Sequence, residues 1–294
     1  MKFYFEKRES AGRAIRRINL ELRANMIGIL GDESLDADTA VHELRKCVKK
    51  LRAVLRLTRP AMKKPVFRSC DRALRDFARL ISSTRDSAVM VKTYDCLIDH
   101  YRPYISNEEM LPVRQALQNR HVLAMAEYRE RIDRKEIESA FLRLEMRLDH
   151  ADNVKLSRPL LETAVRDVYR RGRKLHQALG LDPSSENSHG LRRQAKYLWY
   201  QLRMLEKQLP GHVRPVLEDL DELCEMLGDD NDMEVLTETL RANPGICCNS
   251  VRAELIYGLA ETRRIALLSA SLRVSERIYA RKPGQFARDL FAQA

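Results

Sequence analysis

The chain of 294 residues is poor in glycine (11), proline (10) and aromatic residues (6%). Most of the prolines stand between periodic segments. That scarcity of turn formers disfavours a strand-rich fold and predicts helices joined by short connections. No run nears the roughly 18 apolar residues of a membrane span, and the opening "MKFYFEKRES" lacks the apolar stretch of a secretory signal. A cytoplasmic protein is the expectation. The six cysteines (Cys47, Cys70, Cys96, Cys224, Cys247, Cys248) show no C-x-x-C spacing and read mostly as buried thiols of a reducing compartment. P-loop, G-x-S-x-G, H-E-x-x-H and histidine–aspartate dipeptides are missing, so the sequence offers no familiar set for nucleotide cradling, acyl transfer or metal-dependent hydrolysis. Neither a metal nor a cofactor is expected.

Positive charge is abundant. Lys and Arg number 53 against 42 Asp and Glu, a net +11. Such a surface bears on partners and points to a polyanion: nucleic acid, an anionic membrane face or a phosphate polymer.

The chain also repeats itself. His42 and His189 each head a segment reading H-x-L-R-[KR]-x-x-K-x-L-x-x-x-L-R-[LM], at an offset of 147 residues, half the chain. "ISSTRDSAVM" (81–90) is echoed by "LGDDNDMEVL" (227–236) at an offset of 146. Two motifs in one order, nearly equally spaced, predict a tandem duplication: an all-α fold of two helical bundles related by pseudo-two-fold symmetry. The halves are 1–150 and 151–294, dividing near 148–159, within one domain spanning 1–294. Apolar spacing predicts helices over 10–30, 37–58, 66–82, 86–101, 109–130 and 135–148, then 158–180, 188–208, 213–227, 232–242, 249–279 and 284–293. Gly228 is read as a helix stop.

On a helix turning about 100° per residue, Leu44, Val48, Leu51 and Leu55 form a core stripe. His42, Arg45, Lys49, Arg52 and Arg56 form a second stripe a quarter turn away. The second copy places Leu191, Ala195, Leu198 and Leu202 inward and His189, Arg192, Lys196 and Arg203 beside them, with Trp199 at the Arg52 counterpart. Like charges three and four apart repel by a few tenths of a kcal/mol. With no acid inside either stripe, an external anion is the expected partner, and the two stripes are expected to face each other across a shared groove. Arg13, Arg16 and Arg17, and Arg170, Arg171, Arg173 and Lys174, are further cations available to line it. Imidazole titrates near 6.5, so polyanion binding should strengthen as pH falls towards about 6. The repeated acids Asp86 and Asp232 each follow an expected helix break and read as N-caps or ion-pair partners.

These paired motifs resemble the CHAD family, helical domains named for their histidines, and "ARKPGQFARDL" (280–290) is similar to its C-terminal K-P-x-x-F-A-R segment. The resemblance implies two helical bundles and a basic channel between them that binds inorganic polyphosphate. Carried over, the binding residues are His42, Arg45, Lys49, Arg52 and Arg56 with His189, Arg192, Lys196 and Arg203, and Lys46 and Arg193 on the motif's flank. Tyr197 and Trp199 replace the counterparts of Lys50 and Arg52, so the second half should contribute less charge. Relatives often carry a triphosphate-tunnel enzyme domain, and hydrolysis by such a neighbour is not implied here. The expected role is non-catalytic binding, with polyphosphate granules one place for it. A nucleic-acid binder is the alternative, weakened by the few aromatics available for base stacking. An enzyme acting on phosphate chains through His42 or His189 is the third reading.

Overall fold

The computed structural model describes residues 2–292 apart from 33, 82–84, 132–133, 153–154, 210 and 212; the side chains of 37, 85–86, 128–131, 134 and 149–152 are also outside the description. Among the described residues there are eleven α-helices and no strand. They are α1 (Ala11–Gly31), α2 (Ala37–Thr58), α3 (Lys64–Leu80), α4 (Arg85–His100), α5 (Asn107–Arg131) and α6 (Arg134–Asp152), then α7 (Arg158–Leu181), α8 (Ser185–Leu205), α9 (Val213–Ala242), α10 (Ser250–Tyr279) and α11 (Pro283–Ala292). Short 3-10 turns follow α2 (Arg59–Ala61), α8 (Glu206–Gln208) and α9 (Pro244–Cys247).

Local chemistry sets the boundaries. Asp36 caps α2 by accepting from the Thr39 N–H at 3.0 Å, and Pro60 closes that helix into its 3-10 turn. Asn249 caps α10 in the same way through the Arg252 N–H at 2.8 Å. The sequence expectation fails in one place. Residues 213–242 form a single helix, so Gly228 is not a stop and Asp232 is not a cap. A glycine inside a helix costs only about 1 kcal/mol, and packing outweighs it here. Asp86 falls in the first turn of α4, where its side chain lies outside the described residues.

Two buried clusters hold the helices, and each draws on both halves of the chain. The larger joins α1, α2, α3 and α6 to α7, α8, α11, the first half of α9 and the end of α10. The smaller joins α4 and α5 to the second half of α9, its following 3-10 turn and the start of α10. The predicted core stripes are at the centre: Leu44, Val48, Leu51 and Leu55 are at most 2% exposed, and Leu191, Ala195, Leu198 and Leu202 are fully buried.

One histidine serves the core. His176 of α7 is 2.8 Å from the Ser275 hydroxyl of α10, and its ring stacks on Tyr279. Burial pulls this imidazole below its ordinary value, helped by Arg173 and opposed by Glu276. The unfolded chain therefore takes up this proton more readily. The stability His176 contributes is complete above about pH 6.5 and falls away as the pH drops towards its folded value. Urea midpoints measured down that range should fall, and a His176→Gln variant should show a shallower decline. An equal slope in both proteins refutes this.

Candidate functional site

Both copies of the histidine-headed motif run down one helix, α2 or α8, and these two central helices pack on each other. On α2, His42 and Lys49 are exposed, Arg45 and Lys46 are half-buried, and the stripe then descends inward: the Arg52 and Arg56 side chains are 22% and 13% exposed. On α8, His189, Arg193 and Arg203 are exposed, while Arg192 and Lys196 are half-buried.

The inward end of the α2 stripe is an arginine knot. Asp71 of α3 receives Arg52 and Arg56 at 3.2 Å and Arg75, one turn along its own helix, at 3.5 Å. Three guanidinium groups thus share one carboxylate. Arg56 also lies 4.0 Å from the ring centre of Tyr197 on α8 and 6.0 Å from that of Phe67 on α3. Desolvation pulls Arg56 below its ordinary value, against the opposing pull of Tyr197 and Asp71, and leaves it charged at neutral pH. Arg59, over the same Phe67 ring at 5.4 Å, stands near enough to Arg171 of α7 to repel it. Burial and that repulsion both lower Arg171. Among the additional cations, Arg171 is brought close to Arg59, just past the end of the α2 stripe. Tyr197, which adds no charge to the second copy, supplies the face on which Arg56 stacks.

The stripes nevertheless meet acidic partners from outside. None lies inside either stripe, but neighbouring elements supply them. Asp71 meets the α2 stripe. Asp221 of α9 lies 3.4 Å from Lys196, and Glu206 lies 2.8 Å from Arg203. On the flank, Lys46 pairs with Glu43 at 2.8 Å. Lys196 and Arg203 also lie over the Trp199 ring, at 4.9 and 5.8 Å. Arg192 passes directly over Gly228. A Cβ there would stand 3.1 Å from its Nη2, a tight contact to which the end of the Arg192 side chain would have to yield.

The two histidines do not share a groove. His42 lies in a cavity of about 810 Å³ between α2, α4, α9 and α10, with Lys92, His100 and Arg263 facing Asp38, Asp99, Asp229 and Asp232. His189 lines a separate depression of about 430 Å³ with Arg193, Asn231, Glu186, Glu234 and Glu238, its Nδ1 3.2 Å from the Asn231 Oδ1. The first uses Asp229, Asp232 and Met233 of α9, the second Asn231, Glu234, Val235 and Glu238, about half a turn away. The continuous α9 stands between them. A helix stop at Gly228, as the sequence suggests, would leave no such partition. Neither hollow is purely basic. In the larger, burial and the Asp232 charge push the Asp229 carboxyl above the usual range.

The remaining expected cations are dispersed. Arg17 is occupied by Glu9, Glu21 and the carbonyls of Lys2 and Tyr4, fastening the N-terminal segment to α1. Arg13 donates to the Ser10 hydroxyl at 3.2 Å, and Arg16 is exposed on α1. Arg170 pairs with Asp167 at 3.1 Å, Arg173 donates to the Tyr279 carbonyl at 3.1 Å, and Lys174 is exposed.

A buried polar network joins residues that no sequence motif links. Asp230 of α9, 1% exposed, accepts from the Ser188 hydroxyl at 2.6 Å and from Arg264 Nε of α10 at 3.0 Å. Burial raises its carboxyl pKa, against these two donors. Ser185 donates to Glu234 and receives Arg264 Nη2, so the start of α8 is tied to α9 and α10 beside His189. Among the described residues no group of three or more His, Cys, Asp or Glu could hold a metal ion, and no helix is long and apolar enough to cross a membrane.

The fold and its paired cationic helices define an all-α protein built around two basic motif helices. The CHAD domain family model matches residues 14–241, and the chain belongs to that family. Its fold is similar to the crystal structure of the CHAD domain from the plant Ricinus communis, at a TM-score of 0.65 and 17% identity over 93% of this chain and 95% of that one. It is also similar to PptA from Streptomyces chartreusis, at a TM-score of 0.61 and 13% identity over 93% of this chain and 100% of that one. No curated protein matches.

Proposed function

We propose that this chain binds inorganic polyphosphate without cleaving it, along the cationic ridges of α2 and α8. The observation that carries the reading is the arginine knot, where three guanidinium groups share the single carboxylate of Asp71 and Arg56 is held rigid against Tyr197. Guanidinium forks match phosphate oxygens, and a fixed fork loses little freedom on binding. Membership of the CHAD family and the net +11 support the same ligand. With the two histidines on either side of α9, the ligand path centres on the α2 ridge and the knot rather than on a passage joining His42 to His189. Nucleic acid fits less well. The aromatic rings beside the ridges, Tyr197 and Trp199, are already covered by Arg56, Lys196 and Arg203, which leaves bases little to stack on. The absence of any disulfide among the six cysteines suits work in the cytoplasm.

Calorimetry of polyphosphate binding across a salt series tests this. By analogy with single-stranded nucleic acid, neutralising about eight phosphates gives a log–log slope near −6, and a Lys49→Gln, Arg75→Gln variant should make it shallower by about 1.4. Displacement of polyphosphate by nucleic acid at equal charge concentration overturns the reading in favour of a nucleic-acid binder. Release of phosphate with added magnesium or manganese, lost in His42→Ala or His189→Ala, overturns it in favour of an enzyme.

A further inference from the structure

A second cationic surface lies away from both motif helices, on the outer face of α6 and the two helices packed against it, α1 and α3. Helices α3 and α6 run antiparallel. The Cys70 thiol donates to the Arg147 carbonyl at 3.1 Å, and the Phe77 and Phe141 rings meet at 6.1 Å. That pairing sets Arg72 level with Arg147, and a groove of about 380 Å³ between the two helices is lined by Arg68, Arg72 and Arg147, with Asp76 the one carboxylate.

The crests of this layer are apolar where solvent would favour polar residues. Leu142 and Met146, one turn apart on α6 and 59% and 69% exposed, point directly away from the helix's buried face of Ile137, Phe141, Leu144 and Leu148. Arg143 and Arg147, both exposed, flank them on the α3 side. Glu138 and Glu145 stand on the opposite flank, and Glu136 lies two turns from Arg143. On α1 the outward row is Arg13, Arg16, Leu20, Ala24 and Ile27, without an acid, and Leu20 and Ile27 are 50% and 54% exposed. Arg13 and Arg16 are both exposed in this α1 row.

We infer that the face formed by α1, α6 and α3 docks on an anionic lipid bilayer, with Leu142, Met146, Leu20 and Ile27 entering the interface and the arginines beside them meeting lipid phosphates. Charge complementarity selects an anionic partner. The relief of the surface selects a bilayer over an acidic peptide: the groove floor is charged and the crests are apolar. A helix seated in the groove would set its own apolar side on arginines, whereas a bilayer takes apolar crests at its acyl boundary and cations at its headgroups. Long arginine side chains suit that geometry, since their stems lie along apolar surface while the guanidinium stays among phosphates.

Sedimentation of the full chain with phosphatidylcholine vesicles, with and without phosphatidylglycerol, tests the inference. Binding is expected only with the anionic lipid and should weaken as salt rises. An Arg68→Gln, Arg72→Gln variant should lose about fivefold per arginine, the equivalent of about 1 kcal/mol each. A Leu142→Glu, Met146→Glu variant, its helix content confirmed by circular dichroism, should lose most of the remainder, while Val251→Glu, at an exposed apolar position on α10, should bind as the parent does. No association with anionic vesicles at low salt overturns the inference, and so does undiminished association of the Leu142/Met146 variant, which would reduce the effect to net charge. Polyphosphate affinity of the Leu142/Met146 variant should match the parent's, which separates this face from the ridge on α2.

Discussion

An Asp71→Asn variant is expected to unfold more easily and yet hold polyphosphate more tightly. Asp71 is the carboxylate shared by Arg52, Arg56 and Arg75, and its own side chain is 14% exposed. Removing one partner of a fully buried ion pair costs about 3–5 kcal/mol. Water reaches Arg52 and Arg75, so a loss of about 2–3 kcal/mol in the urea-derived stability is expected. The same change removes the one negative charge from the centre of the cationic ridge. At a charge separation of about 8 Å and an effective dielectric near 20, that charge opposes a phosphate by about 2 kcal/mol before salt screening, so affinity should rise roughly tenfold. The two effects have opposite signs, which separates them from general damage. Weaker binding in step with lower stability would mean that the knot exists to fasten α2 to α3 and not to meet an anion.

Gly172→Ala should be among the costliest single-atom-scale changes in the protein. At Gly172, α7 comes so close to α10 that an added Cβ would lie 2.3 Å from the Tyr279 hydroxyl oxygen and 2.6 and 2.7 Å from two ring carbons. The ring has no room to retreat. Tyr279 is 2% exposed, with Tyr169 at 5.2 Å and His176 at 6.2 Å between ring centres. Overpacking of this kind costs about 1–3 kcal/mol, and a rigid aromatic obstacle places it at the upper end, a fall in Tm of about 6–10 °C. Tyr279→Leu in the Gly172→Ala background should recover part of the loss. Gly258→Ala on α10, where no atom lies within 4 Å of the new methyl group, should instead stabilise by about 0.5–1 kcal/mol through helix propensity alone. Equal effects at the two glycines would show that backbone propensity, not the close approach, governs Gly172.

Much of this architecture is legible in the amino acids because it is local. Helix spans and the two core stripes follow from three- and four-residue spacing, and Leu44 to Leu55 and Leu191 to Leu202 are buried as that spacing requires. The motif pair that resembles the CHAD family is equally local. What periodicity does not encode is which helix faces which. Asp71 carries no mark in the sequence that ties it to Arg52 and Arg56, and Asp230 none that ties it to Arg264, since both partnerships exist only once separate helices pack. Gly228 misleads for the same reason. Glycine more often closes a helix than occupies its middle, and the close approach of the Arg192 guanidinium from α8 to Gly228 exists only once the helices pack.

The uninterrupted run of α9 has a mechanical meaning. At about 1.5 Å per residue its 30 residues make a strut some 45 Å long that is embedded in both buried clusters, with α10, also 30 residues, braced against it. Asp221, opposite the α8 ridge, and Asp232, in the cavity of His42, are therefore carried on one continuous helix, eleven residues apart. If the α2 and α8 ridges bind an anion as proposed, that ligand meets both carboxylates at a spacing the helix sets.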